Sequence, residues 1–412
     1  MILFSSNDQC CGCGACASIC PKHAITMQQD EYGFQFPRVN DALCVNCGLC
    51  TRVCDFQKEK AAMNPLEVYA VMRRDTDALV HSASGGAFAA IAETVIESGG
   101  VVFGAVLTEE ESLLMPIHRM AKSKRELSVI YGSKYVQSDL RNTFSEAKKQ
   151  LESGCTVLFS GTPCQIGGLK AYLCKDYPNL ITMDLVCHGV PSAKMFQDYL
   201  RILQKKLKGQ IVSFCFRHKS EGGGFIARVE CMKKDGSVWY KDIPSYQSSY
   251  YEYFLRSELY RHSCYHCPYA GNQHPADITI GDYWGFETEH PEAISPKGEM
   301  SSPKGISVLI ANTLKGVEWF TRCRESFFVV PSQIEYAARH NEQLRQPSKP
   351  GTERERILKL YASKGYKVVD DAFIQRKIAI QRKEQMKFFM HKYVPRTLRK
   401  LIKQIAGMDD RL

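Results

Sequence analysis

The stretch CCGCGACASICP, residues 10–21, and its echo CVNCGLCTRVCD, residues 44–55, decide how this chain begins. Cys10, Cys13, Cys16 and Cys20 are spaced C-x-x-C-x-x-C-x-x-x-C with Pro21 next, and Cys44, Cys47, Cys50 and Cys54 repeat the spacing. Three thiolates on one tight loop can hold three corners of an iron-sulfur cube, while the fourth thiolate of each run crosses to the other cube. The predicted ligand sets are therefore Cys10, Cys13, Cys16 and Cys54 for one 4Fe-4S cluster, and Cys44, Cys47, Cys50 and Cys20 for a second. Gly12, Gly14 and Gly48 supply backbone that can turn amides inward toward sulfur. A disulfide framework or a zinc ribbon would use the same residue type, but neither predicts a doubled triplet with a trailing cysteine; zinc sites present paired C-x-x-C arms. Cys11 is left as a spare, and Asp55 stands where the first run has its proline.

Working outward, 412 residues are far too many for an electron-carrier module alone, so two or three domains are expected. No charged and apolar leader opens the sequence, and the longest apolar stretches, such as Val101 to Leu107, are too short to span a bilayer. Eighteen cysteines in such a chain imply a reducing compartment, and the expectation is a cytoplasmic protein. The formal charge of +10 is concentrated at one end. From Arg376 to Lys403 there are ten Lys and Arg (among them Arg382, Lys387, Arg396 and Lys400) against Glu384, which leaves the remainder near neutral and gives a nucleic-acid role no support. The same segment has an apolar face interrupted at Pro395, which predicts two short amphipathic helices. Two roles fit them: packing on the body with a solvated basic face, or contact with an anionic membrane surface or acidic partner.

The expected fold is an α+β ferredoxin-like module over residues 1–58, an α/β domain with a substantially parallel sheet over 66–345, and a helical basic C-terminal tail over 352–412. The α/β reading comes from strands at Val68–Arg73, Val101–Leu107, Val157–Ser160 and Ile181–Val186 alternating with helices at Ala87–Ser98 and about Gln165–Leu173. Residues 211–240 read as an antiparallel insertion around Gly222, Gly223 and Gly224. Residues 287–305 read as a loop, and 346–352 as a break.

A second set of cysteines follows strands of that sheet. Cys164 lies after one strand and at the start of a helix, and Cys187 ends the next strand; both thiols are expected at the carboxyl ends of parallel strands, where open sheets place their sites. Cys264 and Cys267 add a C-x-x-C pair. A third 4Fe-4S cluster, a zinc site using His266 or His274, a redox dithiol and inert buried cysteines all remain open on spacing alone. Cys155, Cys174, Cys215, Cys231 and Cys323 are expected to be buried and inert. Ser84, Gly85 and Gly86 open a helix whose amides could hold a phosphate, and Gly132, Ser133 and Lys134 place a cation in a second glycine turn, although an ordinary capped turn fits as well. Ser84 is too far from its strand for a nucleophile elbow. His188, beside Cys187, is the candidate proton donor, with a structural histidine as its alternative.

These residues together resemble the family of coenzyme F(420) hydrogenase/dehydrogenase beta subunits, which are iron-sulfur flavoproteins. The resemblance rests on HSASGGAF (81–88), GGVVFGAV (99–106), GSKYVQS (132–138), LFSGTPCQIGGLKAYL (158–173), DLVCHGVPS (184–192), the Cys264–Cys267 pair and ITIGDYWG (278–285), and covers roughly residues 1–330. It implies FAD near the loops at Ser84, Gly132, Gly161 and Thr162, and a 4Fe-4S cluster on Cys164, Cys187, Cys264 and Cys267. It implies an oxidoreductase passing electrons between clusters and FAD, served by a redox partner protein or ferredoxin and a small-molecule acceptor. Archaeal relatives reduce a deazaflavin, and plant and cyanobacterial relatives reduce other organic acceptors. Bacterial members with the fused double ferredoxin often accompany surface-polysaccharide biosynthesis enzymes. A non-enzymatic electron-transfer protein within a larger redox complex is the rival reading.

Overall fold

The computed structural model describes residues 2–393 apart from 61, 63, 220–224, 295–299 and 301. At the amino end the duplicated cysteine motif is a duplicated backbone. Gly14 (φ +72°, ψ +4°) and Gly48 (φ +73°, ψ +3°) each begin a one-turn helix, Ala15–Ser18 and Leu49–Arg52. Neither glycine has a heavy atom near its absent Cβ, so the left-handed φ rather than crowding selects glycine there. Between the two runs lies an antiparallel hairpin of β1 (Ile25–Gln29) and β2 (Gln35–Val39).

Eight strands form the main sheet, in the order β13 (Phe327–Pro331), β3 (Glu67–Arg73), β12 (Ser307–Ala311), β11 (Ile278–Asp282), β7 (Leu180–Leu185), β6 (Val157–Ser160), β4 (Val101–Glu110), β5 (Leu113–Ala121). Parallel pairing joins the central four, β11, β7, β6 and β4. The outer pairings are antiparallel, so the parallel character expected of the sheet belongs to its middle. β6 and β12 are buried at every position, as strands covered on both faces must be. On one face Ile91 and Val95 of helix Ala87–Glu97 and Phe320 of helix Leu314–Cys323 meet Val102, Leu158 and Ile181. On the other, Phe144 and Ile166 of helices Thr143–Glu152 and Pro163–Leu173 meet Val101, Phe103, Val157 and Phe159.

The expected insertion is a three-stranded antiparallel sheet of β8 (Gln210–Cys215), β9 (Ile226–Met232) and β10 (Val238–Pro244), while Gly222, Gly223 and Gly224 lie outside the described residues. The segment expected to be a loop carries short helical turns at Phe286–Glu289 and Pro291–Ile294. Where two short basic helices were expected, one helix runs from Tyr366 to Tyr393, and the segment beyond Pro395 lies outside the described residues. Val369 and Phe373 of that helix are buried in a core shared with Phe34 and Phe36 of the hairpin region and Phe196 of helix Ala193–Leu207. Among the described residues no helix is long and apolar enough to cross a membrane.

Candidate functional site

The two cysteine runs close around two cavities, and each cavity borrows from both runs. Cys10, Cys13, Cys16 and Cys54 line one, with Phe4, Phe56 and Gln57; Cys20, Cys44, Cys47 and Cys50 line the other, with Lys22, Val39 and Val45. Cys50 also reaches the first cavity, which makes the two neighbours. The thiols ring these spaces rather than meet at a point: among the described residues no three His, Cys, Asp or Glu side chains close to single-ion distance. Amides and side chains point at sulfur as expected, with Ala24 N at 3.4 Å from Cys20 Sγ and Gln57 Nε2 at 3.2 Å from Cys54 Sγ. Burial pushes the Cys10, Cys16 and Cys54 thiols up, which favours their protonated form. The second cavity is the outer one. Its Cys47 is exposed, and beside it Leu43 is 51% and Val45 58% exposed.

The second cysteine quartet converges as well. Cys164 follows β6 at the start of helix Pro163–Leu173, Cys187 follows β7, and Cys264 and Cys267 lie in and just after the turn His262–His266. Each of Cys164, Cys264 and Cys267 is close enough to raise the Cys187 pKa further, after burial, the main cause. Burial likewise pushes Cys264 up to about 11, whereas Cys164 is drawn down to about 7, chiefly by a hydrogen bond from Cys11 and also by one from Thr162 Oγ1 at 3.2 Å. Of the two histidines considered as zinc ligands, His274 is buried against Asp184 at 3.0 Å and His266 is exposed and stacked on His262. The remaining cysteines correct the expectation in part. Cys231 and Cys323 are buried, but Cys155 is half-buried, Cys174 is exposed at the left-handed end of its helix, and Cys215 points to solvent because its neighbour Phe214 takes the inward face of β8.

Residues without a motif join the quartets. Cys11, the spare, is buried with Phe56 and Tyr269 against Cys13 and Cys54 on one side and Cys164 and Cys267 on the other. Asp55, the departure from proline, accepts a hydrogen bond from Tyr269 Oη at 2.6 Å and pairs with Lys60 at 2.7 Å, tying the cysteine module to the α/β body. Gly167 and Gly168 let helix Pro163–Leu173 approach: a Cβ on Gly167 would lie 2.3 Å from Tyr269 Oη, and one on Gly168 2.9 Å from Cys13 Sγ.

The loops expected to hold a flavin are largely bonded to their own surroundings. Ser84 Oγ donates to Ile306 O, the Gly85 amide to Ser307 Oγ, and the Gly86 amide to Ala83 O. The Gly161 amide donates to Met183 O, and the Thr162 amide to Gln165 Oε1. Lys134 Nζ reaches the carbonyls of Val129, Ile130, Tyr131 and Gly132, and burial pushes its pKa down to about 7. The Gly132–Ser133 turn is half-buried, with open space where a Gly132 side chain would stand. His188 is exposed, and its carbonyl, not its ring, is held by Ser348 Oγ. At this end of the sheet Arg217 pairs with Asp282 and lies 5.7 Å over the Trp284 ring.

Residues 155–335 match the family model for the carboxy-terminal part of the coenzyme F420 hydrogenase/dehydrogenase beta subunit, and residues 9–58 match the 4Fe-4S dicluster domain. An uncharacterized protein of Methanocaldococcus jannaschii is 22% identical over 258 residues, covering 56% of this chain and 64% of its own length. One of the subunits of the F(420)H(2) dehydrogenase of Methanosarcina mazei is 22% identical over 296 residues, 67% of this chain and 75% of that protein. A chain of the F420-reducing [NiFe] hydrogenase complex from Methanosarcina barkeri, solved as a xenon derivative, aligns over 75% of this chain and 93% of its own at a TM-score of 0.43 and 20% identity. The chain thus carries a 4Fe-4S dicluster domain at residues 9–58 and, at residues 155–335, the carboxy-terminal domain of coenzyme F420 hydrogenase/dehydrogenase beta subunits.

Proposed function

We propose that the chain is an electron-transfer protein with three 4Fe-4S sites: Cys10, Cys13, Cys16 and Cys54; Cys20, Cys44, Cys47 and Cys50; and Cys164, Cys187, Cys264 and Cys267. The observation that carries it is the crossed lining of the two N-terminal cavities: each takes three spaced cysteines of one run and the trailing cysteine of the other, Cys54 or Cys20, with Cys11 and Cys50 as further thiols at the first. The third quartet is supported by its convergence beside Cys11 and Tyr269, which also touch the first. A bound cluster supplies reversible one-electron storage. The chain's own part is to present thiolates, aim Ala24 N and Gln57 Nε2 at sulfur, and keep water from the junction with Phe56 and Tyr269. A redox partner protein would meet the second site, where Leu43, Val45 and Cys47 are exposed. The M. mazei relative, named as part of a dehydrogenase with several subunits, supports such a partner.

A second reading adds an organic acceptor, FAD or a deazaflavin, at the carboxyl end of the parallel strands. One observation favours it: Trp284 (39%) and Leu185 (38%) stay exposed there, beside Arg217 and His188. A flavin there would join one-electron to two-electron chemistry.

Anaerobic purification followed by iron, sulfide and flavin quantitation tests both readings. About twelve irons per chain is the expected result, and bound flavin selects the second reading. Substituting Cys164 and Cys187 by serine should remove about a third of the iron and spare the dicluster signal. Unchanged iron would overturn the third site; a chain binding zinc in place of iron would overturn all three.

A further inference from the structure

Arg261 is among the largest fully buried side chains of the described residues, 1% exposed, and it is a cation. Among the described residues no carboxylate lies within ion-pair distance of it. Its Nε donates to Cys10 O at 2.8 Å and its Nη2 to Gln35 O at 2.9 Å, with Cys10 Sγ 3.8 Å from the same nitrogen. The guanidinium lies 4.1 Å over the Phe36 ring and 5.5 Å from that of Phe34. Gln137 completes the setting, its Oε1 3.5 Å from Nη1 and its amide donating to Cys11 O. Gly12 is glycine here for two reasons: its φ is +71°, and a Cβ would lie 2.9 Å from Arg261 Nη1.

A buried charge without a counter-charge in contact is among the most unfavourable arrangements a protein can contain, and the Asp30 carboxylate, which feels the charge of Arg261 from beyond ion-pair distance, is engaged by the amides of Tyr32 and Phe34. Neutral carbonyls and aromatic faces satisfy the donors of Arg261, but they do not cancel its charge. What lies within reach is the ring of thiols at the first N-terminal cavity, and four thiolates around a cluster make that site net anionic. Among the described residues the lining of the second cavity holds one cation, Lys22, and it is exposed to solvent rather than buried. We propose that Arg261 is the built-in counter-cation of the first site, favouring its reduced, more negative form over that of the second site. This rests on the reading of that cavity as a cluster site.

The test is an anaerobic redox titration of the iron-loaded full chain, followed by electron paramagnetic resonance, with dithionite as reductant and iron counted in every sample. Cys47→Ser marks which signal belongs to the second site. In the parent chain the first site should titrate at the higher potential. Arg261→Gln should lower the reduction constant of the first site by tenfold or more, about 59 mV for one electron. The second site should not move, and Arg261→Lys should restore part of the shift. Equal shifts at both sites, no shift, or a first site that titrates below the second in the parent chain would overturn the role of Arg261. Should Arg261→Gln fail to hold iron, the site order in the parent chain and the Arg261→Lys shift still decide. Absence of iron from the parent chain is a different outcome, and it removes the cluster reading itself.

Discussion

His118 projects from β5 with both ring nitrogens engaged: Nε2 lies 2.9 Å from Ser160 O and Nδ1 2.9 Å from Ser138 Oγ, while the ring stacks on Phe159. A carbonyl at Nε2 fixes the proton there, so Nδ1 accepts from the serine and the neutral ring is the form that fits. Burial pushes its pKa down to about 4. The unfolded chain therefore binds a proton on this residue below about pH 6.5 that the folded chain refuses, and stability contributed by His118 is complete above that pH and lost as pH falls toward 4. Between about pH 7.5 and 5 the loss from this one group is about 2 kcal/mol. Urea midpoints of the parent chain and His118→Gln at the two pH values should differ in pH dependence by roughly that amount; parallel curves would contradict it. No motif surrounds His118, because its partners come from two separate segments, 138 and 159–160. The dicluster domain was legible for the opposite reason: three cysteines of each N-terminal run fall within seven residues, so spacing alone announces it. Arg261 carries no such local pattern, and Cys11 could be counted as spare only because its neighbours Cys164 and Cys267 are distant in sequence.

At the scale of elements, the central strands were readable from unbroken apolar runs such as Val157–Ser160, but the partner of β4 was not. β4 and β5 are joined by a two-residue turn with Glu111 and Ser112 both at positive φ, 51° and 62°. This is the conformation usually announced by Asn-Gly or Asp-Gly, and here neither residue gives the signal. Helix Pro163–Leu173 shows the reverse case. Its Gly167 and Gly168 look like weak points in a helix, and they are what lets the cysteine module dock. Gly167→Ala gains helix propensity, yet its methyl must displace the Tyr269 hydroxyl and with it the bond to Asp55. A net destabilisation of about 1–3 kcal/mol is expected, together with faster protease cleavage between the cysteine module and the α/β domain. Adding Tyr269→Phe removes the clashing oxygen and should recover part of that stability, a non-additivity that a simple propensity effect would not produce.

Across the whole molecule, the basic C-terminal segment illustrates what composition conceals. Its charge left two roles open, and residues 357–373 take the first of them, packing on the body: Ile357, Leu358 and Tyr361 of helix Arg354–Lys364 and Tyr366, Val369 and Phe373 of the next helix are buried in the same core as Phe34 and Phe36, which flank Arg261. Several of its charges are also engaged with the body: Asp370 pairs with Lys206 at 2.5 Å, and Arg376 and Lys377 pair with Glu252 at 2.6 Å each. Basic residues and apolar ones alternate around these helices, so net charge reports the solvent face and says nothing of the inner one. Six buried side chains at about 1.5–3 kcal/mol each give on the order of 10 kcal/mol as an upper estimate, comparable with the whole stability of a typical domain. A chain ended at Gly351 should therefore lose its cooperative unfolding transition, with near-ultraviolet circular dichroism collapsing. Because Phe34 and Phe36 would lose their packing, iron at the first N-terminal site should fall with it, whereas the second site, whose cavity does not touch this core, should keep more of its iron. A truncated chain that unfolds cooperatively with both dicluster sites filled would show instead that these helices are ornamental to the fold.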